Sequence, residues 1–263
     1  GEGLTATIIT QLRQEAFRRG LRHLFLYTKP KNRFMFEGLS FYRVAETADT
    51  LLMENVRGGV QQFVKRLEQP ENPGVVGAIV ANCNPFTLGH RYLVEQAAAQ
   101  MDTLHLFVLS EDKSFFPAAD RMMLVQQGVA DLKNVIVHPT GDYLISAATF
   151  PTYFLKDREG AQTVQCLLDI EIFTRYFVPK FGITHRFVGT EPLSPMTNMY
   201  NEALKAHLPG KGIAVREIPR LQTGDTPISA SHVRSLLGQN QPDLLRKLVP
   251  HTTFDYLQEH NLI

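Results

Sequence analysis

The sequence has few cysteines, almost no net charge and no long apolar run. Its 263 residues contain only Cys83 and Cys166, which lie far apart, so we expect neither a disulfide framework nor a cysteine-based zinc site. A formal net charge of +1 predicts no nucleic-acid partner. No apolar stretch approaches the roughly 20 residues that cross a bilayer, and no signal-peptide pattern is present at the start. We therefore expect a soluble, cytoplasmic protein that does not associate with a membrane.

Strand-like and helix-like segments alternate from residue 75 onward. Apolar runs predict strands at 75–81, 104–109, 135–137, 185–188 and 214–218. Helical spacing predicts helices at 121–132, 162–177 and 199–207, and two more that begin near Thr87 and Ser229. This alternation predicts a mostly parallel α/β sheet with helices on both faces and a ligand crevice at the carboxyl ends of its strands.

The first 69 residues have a different pattern. They suggest, in order, a helix at 4–16, strands near 24–27, 42–44 and 51–56, and a helix at 60–67. Residues 70–74 contain two prolines and one glycine but no apolar side chain, which is typical of a linker. We therefore predict a small domain at 1–69 and a larger one at 75–263.

The segment from Asn82 to His90, Asn-Cys-Asn-Pro-Phe-Thr-Leu-Gly-His, lies between a buried strand and a helix. A turn at this position leaves backbone N–H groups and the positive end of the helix dipole facing outward, which is typical of a phosphate site. Thr87 and His90 add a hydroxyl and an imidazole, and Gly89 permits close approach of a ligand to the backbone. The turn is therefore predicted to bind a nucleotide.

A second motif, Ile-Ser-Ala-Ser-His-Val-Arg at 228–234, opens a late helix. Helix capping and phosphate binding explain Ser229 and Ser231 equally well. Arg234 lies about one turn further on, so its guanidinium, the two hydroxyls and free N–H groups would share one side of the helix. This arrangement predicts a second phosphate-binding element, with a surface salt bridge as the alternative role for Arg234.

The two motifs, in this order, resemble those of the nucleotidylyltransferase superfamily. Three further segments, 110–117, 145–154 and 187–192, make the chain similar to the citrate lyase ligases. In that family an acetyltransferase-like domain precedes the catalytic one, and residues 1–44 resemble the second half of such a domain. The chain starts with Gly1 rather than Met and lacks the strands that would come before it. We therefore expect a longer natural protein, and weak or no binding of acetyl-CoA by the chain as it stands.

The resemblance implies a Rossmann-like nucleotidylyltransferase sheet behind a partial acetyltransferase-like α/β domain. It also implies a reaction in which ATP and acetate form acetyl-adenylate and pyrophosphate. The acetyl group then passes to the prosthetic-group thiol of the citrate lyase acyl carrier protein. ATP and Mg²⁺ are the implied cofactors, with Mg²⁺ held by ATP and water and no metal site formed by the protein.

Attack of acetate on the α-phosphorus requires positioning and charge stabilisation rather than a protein nucleophile. His90 would contact the α-phosphoryl oxygens, and Arg234 would stabilise the departing pyrophosphate. The predicted catalytic residues are His90, Arg234, Thr87 and Lys113. The predicted nucleotide-binding residues are Asn82, Asn84, Phe86, Gly89, Gly189, Glu191, Ser229 and Ser231, and Asn198 and Asn201 are predicted beside Glu191 on the adenosine side.

Several residues and activities stay open. Cys83 is predicted to be a spectator, because only the dipoles of the turn would lower the pKa of its thiol. Arg121 is predicted to form surface pairs. Ser146, Thr149, Tyr153 and Lys156 match the family pattern without a readable role.

The rival activities are an adenylyltransferase that moves AMP onto a phosphate monoester such as phosphopantetheine, and a scaffold that binds nucleotide or acyl-CoA without turnover.

Overall fold

The computed structural model describes residues 2–146, 161–192, 194–224 and 226–263. The helices are α1 (Glu2–Arg18), α2 (Arg33–Glu37), α3 (Gly59–Arg66), α4 (Leu88–Ala98), α5 (Ala118–Gly128), α6 (Ala161–Ile172), α7 (Val178–Phe181), α8 (Pro195–His207), α9 (Ala230–Leu236), α10 (Pro242–Leu245) and α11 (His251–Glu259). The strands are β1 (Phe25–Thr28), β2 (Tyr42–Glu46), β3 (Leu51–Glu54), β4 (Val76–Ala81), β5 (Thr103–Val108), β6 (Val135–Pro139), β7 (Ile183–Gly189), β8 (Ala214–Ile218), β9 (Gln222–Thr223) and β10 (Thr226–Pro227).

Five strands form the central sheet in the order β6-β5-β4-β7-β8, and all of its pairings are parallel. The chain starts this sheet at β4, builds outward to β6, and then returns to β4's other side with β7 and β8. A crevice opens at the carboxyl ends of the strands where the direction of winding reverses, which here is between β4 and β7. The predicted parallel α/β sheet is confirmed, and the turn after β4 lies at this crevice.

The predicted elements after residue 75 differ from the observed ones mainly at their ends. Helix α5 begins at Ala118 instead of Arg121, directly after Pro117, and α8 begins at Pro195 instead of Met199. The helix predicted at 162–177 is α6 continued by a π-helical turn at 173–177. Prolines at or next to both helix starts explain these shifts, because their missing N–H is not needed there. No helix in the described ranges has the length and apolarity to span a bilayer.

A three-stranded antiparallel sheet, in the order β1-β3-β2, lies in the first part of the chain. Residues 33–37, before β2, form the short helix α2, which the sequence pattern did not predict. Phe36 at the end of this helix packs with Phe41, Leu51 and Met53 in a small apolar cluster. A nearly perpendicular contact between Phe36 and Phe41 contributes to that packing.

The antiparallel and parallel sheets share one apolar core. Val44 of β2 and Val76 of β4 belong to the same buried cluster. Tyr176 donates a hydrogen bond of 2.6 Å to the carbonyl of Val44, and Tyr143 donates one of 2.7 Å to the buried carboxylate of Glu54. The two parts of the chain are thus joined by both apolar and polar contacts across residues 70–74, where a domain boundary stays a prediction.

A pair of histidines is buried within the parallel sheet. His105 Nδ1 and His138 Nε2 are 2.8 Å apart, and both rings contact Phe107 and Phe181. His105 Nε2 has no hydrogen-bond partner among the described residues. Burial, aided by the nearby charge of Lys180, holds the pKa of both imidazoles well below the ordinary range. The pair is therefore neutral at physiological pH.

Acidification should destabilise the protein through this pair, because the unfolded chain binds protons that the folded pair excludes. A histidine whose folded pKa is lowered loses stability as the pH falls through its ordinary pKa of about 6.5, and each contributes a loss of about 1.4 kcal/mol between pH 7.5 and 5.5. Denaturant titrations at both pH values should show that the His105→Leu/His138→Leu variant loses about 3 kcal/mol less than wild type over this interval. Equal losses in the two proteins would contradict this account.

Candidate active site

A cleft of about 480 Å³ at the carboxyl ends of β4 and β7 contains residues from both sequence motifs. Its walls include most of the residues predicted from the sequence to form the site. These are Asn82, Asn84, Thr87, Gly89, His90, Gly189, Glu191, Ser229, Ser231 and Arg234. The imidazole of His90 and the guanidinium of Arg234, which the sequence separates widely, therefore face one common space.

The first turn, residues 82–90, fixes the orientation of His90. Thr87 caps α4: its hydroxyl accepts a hydrogen bond of 3.3 Å from the backbone N–H of His90. In return, the backbone N–H of Thr87 donates to His90 Nδ1 at 3.1 Å, which completes a capping box. Because Nδ1 accepts a hydrogen bond from a backbone donor, the neutral ring carries its proton on Nε2. His90 therefore offers an N–H donor to a ligand.

The electrostatics of the cleft keep His90 uncharged. Burial, followed by the charges of Arg220 and Arg234, lowers its pKa to about 4. Phe86 stacks on the imidazole with ring centroids 5.9 Å apart and an interplanar angle of 14°. At neutral pH the ring is thus a fixed neutral donor, and the positive charge of the cleft comes from its arginines.

Arg121 holds the first turn from beneath. Its guanidinium is fully buried, so the prediction of surface pairing for this residue is wrong. It donates to both the backbone and the side-chain oxygen of Asn82, at 2.9 and 2.6 Å. Its remaining bonds go to the backbone carbonyls of Phe116, Leu109 and Glu111. Arg121 therefore links the turn after β4 to the loop after β5.

In the second turn, residues 228–234, the two serines have different roles. Ser229 is the N-cap of α9, and its hydroxyl accepts a hydrogen bond of 3.1 Å from the backbone N–H of His232. Ser231 is exposed, and its hydroxyl accepts a hydrogen bond of 3.0 Å from Arg234. Ser229 thus serves as a cap at the cleft wall, while Ser231 orients the guanidinium of Arg234.

The two turns contact each other directly. Arg234 donates through Nη1 to the backbone carbonyl of Asn84. A Cβ atom on Gly89 would lie only 3.0 Å from the carbonyl oxygen of Ile228, so a side chain there would require this contact to widen by a few tenths of an ångström. The absence of a side chain on Gly89 thus admits the second turn, and because Gly89 also lines the cleft, close approach of a ligand to its backbone stays a prediction.

Arg220 is a cleft residue that the sequence reasoning missed. It follows β8, lines the cleft, and forms an ion pair with Glu191. Its Nε also donates to the carbonyl of Thr190 at 2.7 Å. Glu191 is therefore held by Arg220 and by the backbone N–H of Ser194. Arg220 lies just beyond the carboxyl end of a parallel strand, and this position was the signal that could have identified it as a site residue.

Two predicted site residues do not line this cleft. Phe86 is fully buried in the apolar core and reaches the site only through its contact with His90, so direct nucleotide binding by Phe86 is wrong. Lys113 is exposed on the loop after β5 and is not part of the cleft wall, so its catalytic role stays a prediction. Cys83 is buried, and burial raises the pKa of its thiol to about 12, which supports a spectator role.

The segments predicted on the adenosine side and in the middle of the chain have mixed outcomes. Asn201 lines the cleft and donates to the carbonyl of Gly189 at 3.0 Å, whereas Asn198 is exposed and lies outside the cleft wall. Ser146 donates to the carbonyl of Asp142 at 2.6 Å. Thr149, Tyr153 and Lys156 lie outside the described residues.

The site combines a neutral imidazole donor, three arginines (Arg186, Arg220 and Arg234) and two helix N-termini, which together favour a ligand with several negative charges. In the described ranges, no group of three or more His, Cys, Asp or Glu side chains is placed to hold a metal ion. The chemistry that this arrangement supports best is stabilisation of a transferring phosphoryl group.

Comparison with known proteins gives the family. Residues 76–257 match the model of the citrate lyase ligase C-terminal domain. The chain is 44% identical to a citrate (pro-3S)-lyase ligase of Klebsiella pneumoniae over 265 residues, which covers 98% of this chain and 78% of that protein. It is 42% identical to the corresponding ligase of Escherichia coli strain K12, and the match covers 98% of this chain and 75% of that protein.

Among solved structures, it is similar to the nicotinic acid mononucleotide adenylyltransferase of Plasmodium falciparum complexed with APC. The TM-score is 0.46, the identity is 10%, and the match covers 72% of this chain and 96% of the other. The sequence matches, at more than 40% identity over nearly the whole length, establish that this chain belongs to the citrate lyase ligase family.

Proposed function

We propose that this chain is an ATP-dependent ligase that activates acetate as acetyl-adenylate and transfers the acetyl group to the prosthetic-group thiol of the citrate lyase acyl carrier protein. Pyrophosphate leaves in the first step and AMP in the second. The observation that carries the proposal is a family match over nearly the whole chain, together with a cleft that His90 and Arg234 share. A cytoplasmic location is part of the proposal, and the two buried free thiols are consistent with a reducing compartment.

In the first step an oxygen of acetate attacks the α-phosphorus, and the bond from phosphorus to the bridging oxygen breaks. His90 Nε2–H would donate to an α-phosphoryl oxygen, where charge builds up in the transition state. Arg234 and Ser231 would bind the β- and γ-phosphates and stabilise the departing pyrophosphate. In the second step the thiol sulfur attacks the acetyl carbon, and AMP leaves.

Magnesium belongs to this proposal as a partner of the phosphates. Glu191 is engaged by Arg220, so the nearest carboxylate in the cleft wall is already paired. The donors of the site thus suit phosphate oxygens better than a bare cation. Mg²⁺ would be carried by ATP and water, and would neutralise part of the triphosphate charge.

The first test is ATP–pyrophosphate isotope exchange with a panel of small carboxylic acids. We expect exchange that depends on acetate, because reversal of acetyl-adenylate formation is the only route back to ATP in this mechanism. Exchange that requires a phosphomonoester product instead would favour the adenylyltransferase rival. Tight ATP binding in calorimetry without exchange under any acid would favour the scaffold.

The contribution of His90 can be separated from its capping role. His90→Ala should lower the rate of adenylate formation by about 10²–10³-fold, as for loss of a transition-state donor. Affinity for ATP should change only several-fold. His90→Asn keeps a side-chain acceptor near the position of Nδ1 but places no donor at that of Nε2. It should therefore lower the rate of adenylate formation by a similar factor and destabilise the protein less than His90→Ala does. His207→Ala, at an exposed position on α8, is the matched control. Full turnover in both His90 variants would remove the catalytic assignment.

Arg234 should affect both binding and chemistry, since it would contact the end of ATP that departs. Arg234→Ala should weaken ATP binding in calorimetry and lower adenylate formation by about a hundredfold or more. Arg234→Lys should recover part of the binding but less of the rate, because an ammonium lacks the planar fork of the guanidinium. Arg216→Ala on the exposed face of β8 controls for loss of a positive charge. If the Ala and Lys variants keep wild-type rates, Arg234 is only structural.

A further inference from the structure

Arg186 is a buried cation in the wall of the cleft, and it belongs to β7 rather than to either of the two turns. It lies on β7 beside Ala78 of β4, and only 2% of its surface is exposed. Its Nε and Nη1 have no hydrogen-bond partner in the part of the chain that the structure describes. No sequence motif singled this residue out, because it lies in the middle of a strand.

The neighbours of Arg186 leave the donors on its Nε and Nη1 unused. The ring of Phe173 contacts the guanidinium at 5.0 Å, which satisfies a face of the cation but none of its N–H groups. The carboxylate of Asp169 is nearby, but its oxygens accept from the backbone N–H of Ile145 at 2.7 Å and from the hydroxyl of Tyr200 at 2.6 Å. Within the described ranges no salt bridge joins Asp169 to Arg186.

A buried guanidinium without a hydrogen-bonded anion is costly, and such groups normally have a partner. Burial lowers the pKa of Arg186, while the charge of Asp169 opposes that shift. An arginine side chain does not lose its proton in proteins, so the group stays charged. An anion that enters the cleft from solution would supply the missing partner.

The lining near Arg186 favours a small monoanion. Val80, Val188 and Leu204 line the same cleft and offer apolar surface of a kind that suits a methyl group. One guanidinium balances one negative charge, and the neighbouring carboxylate of Asp169 disfavours a dianion such as a phosphate monoester. The phosphate-binding turns, in contrast, contain Arg234 and helix N-termini, and Arg220 lines the same cleft. The part of the cleft lined by Arg186 therefore suits a single negative charge, whereas the turns suit a polyanion.

We propose that Arg186 binds the carboxylate of the acid substrate, and that the part of the cleft lined by Arg186, Tyr200 and Leu204 is the acetate subsite. This inference rests on the proposed function. Arg186 would hold one carboxylate oxygen, which leaves the second oxygen for attack on the α-phosphorus. Asp169 and Tyr200 would act as positioning residues, because their hydrogen bond fixes the negative charge beside the guanidinium.

Acetate-dependent ATP–pyrophosphate exchange in matched variants tests the assignment. Arg186→Met should raise the acetate concentration at half-saturation at least tenfold, because a charge-assisted hydrogen bond is lost. Arg186→Lys should raise it less. The half-saturating ATP concentration should stay within about twofold in both variants. Arg175→Met makes the same chemical change at an exposed position of the π-helical turn and should change neither value. A merely structural role of Arg186 would change the acetate and ATP values together, and this result would overturn the proposal.

A second measurement uses the wild-type protein and does not depend on turnover. With an α,β-methylene analogue of ATP present, acetate should shift the ¹⁵N-detected Nε–H signal of Arg186, assigned by its absence from Arg186→Lys. Acetamide, which has the same shape but no charge, should not. A shift without any acetate-dependent exchange would support the subsite and contradict the ligase reaction. Acetate-dependent exchange with no shift of this signal would overturn the subsite and leave the ligase reaction standing.

Discussion

The direct contact between the turn after β4 and the turn before α9 is the constraint on which the site depends. The donor and acceptor that join them, in Arg234 and Asn84, are 150 positions apart in the chain. Nothing local holds them together, so the contact must be supported by packing elsewhere. The C-terminal helices supply that support: Val233 of α9 packs in one buried cluster with Leu248 and Phe254. In addition, the carbonyl of Leu248 accepts from the backbone N–H of Leu88 at the start of α4. Packing of the last helices thus keeps the turn before α9 in contact with the turn after β4.

Burial and charge together suit this cleft to anion binding, because they keep the imidazole of His90 neutral beside positively charged arginines. The arginines that would attract a triphosphate also lower the pKa of His90, so the imidazole is neutral when the cleft is empty. A bound polyanion would offset part of the arginine field and raise that pKa again. The neutral ring nevertheless keeps its donor, because the capping box fixes which nitrogen carries the proton. Positioning by backbone hydrogen bonds is therefore what gives His90 its proposed role at neutral pH, and no shift of a proton is needed.

The sequence predicted those parts of the site that depend on local structure. A buried strand followed by Thr-x-Gly-His defines a turn and a helix start within a few residues, and the second motif does the same for Ser229 and Arg234. Side chains whose role depends on long-range packing were harder. Arg121 sits near the start of a helix, where an arginine is usually exposed, yet the loop after β5 folds over it. Phe86 belongs to the motif but points its ring into the core, because the turn needs an apolar anchor beneath His90. Periodicity alone cannot tell which side chain of a turn faces inward.

Three arginines differ in how many of their hydrogen-bond donors the protein itself uses, and this difference separates a structural role from a ligand-binding one. Arg121 is fully buried, and each of its nitrogens donates to an oxygen of the protein, so its role is to hold the turn in place. Arg234 donates to Asn84 and Ser231 but lies at the cleft wall, so it is oriented by the protein and still accessible. Arg186 is as buried as Arg121 but has unused donors in the described structure. Leaving a buried donor unpaired costs about 1–3 kcal/mol or more, and the carboxylate of the proposed acid substrate would offset this cost by accepting from Arg186. The number of donors that the protein itself uses thus separates Arg121, which holds the turn, from Arg234 and Arg186, which are proposed to bind ligands.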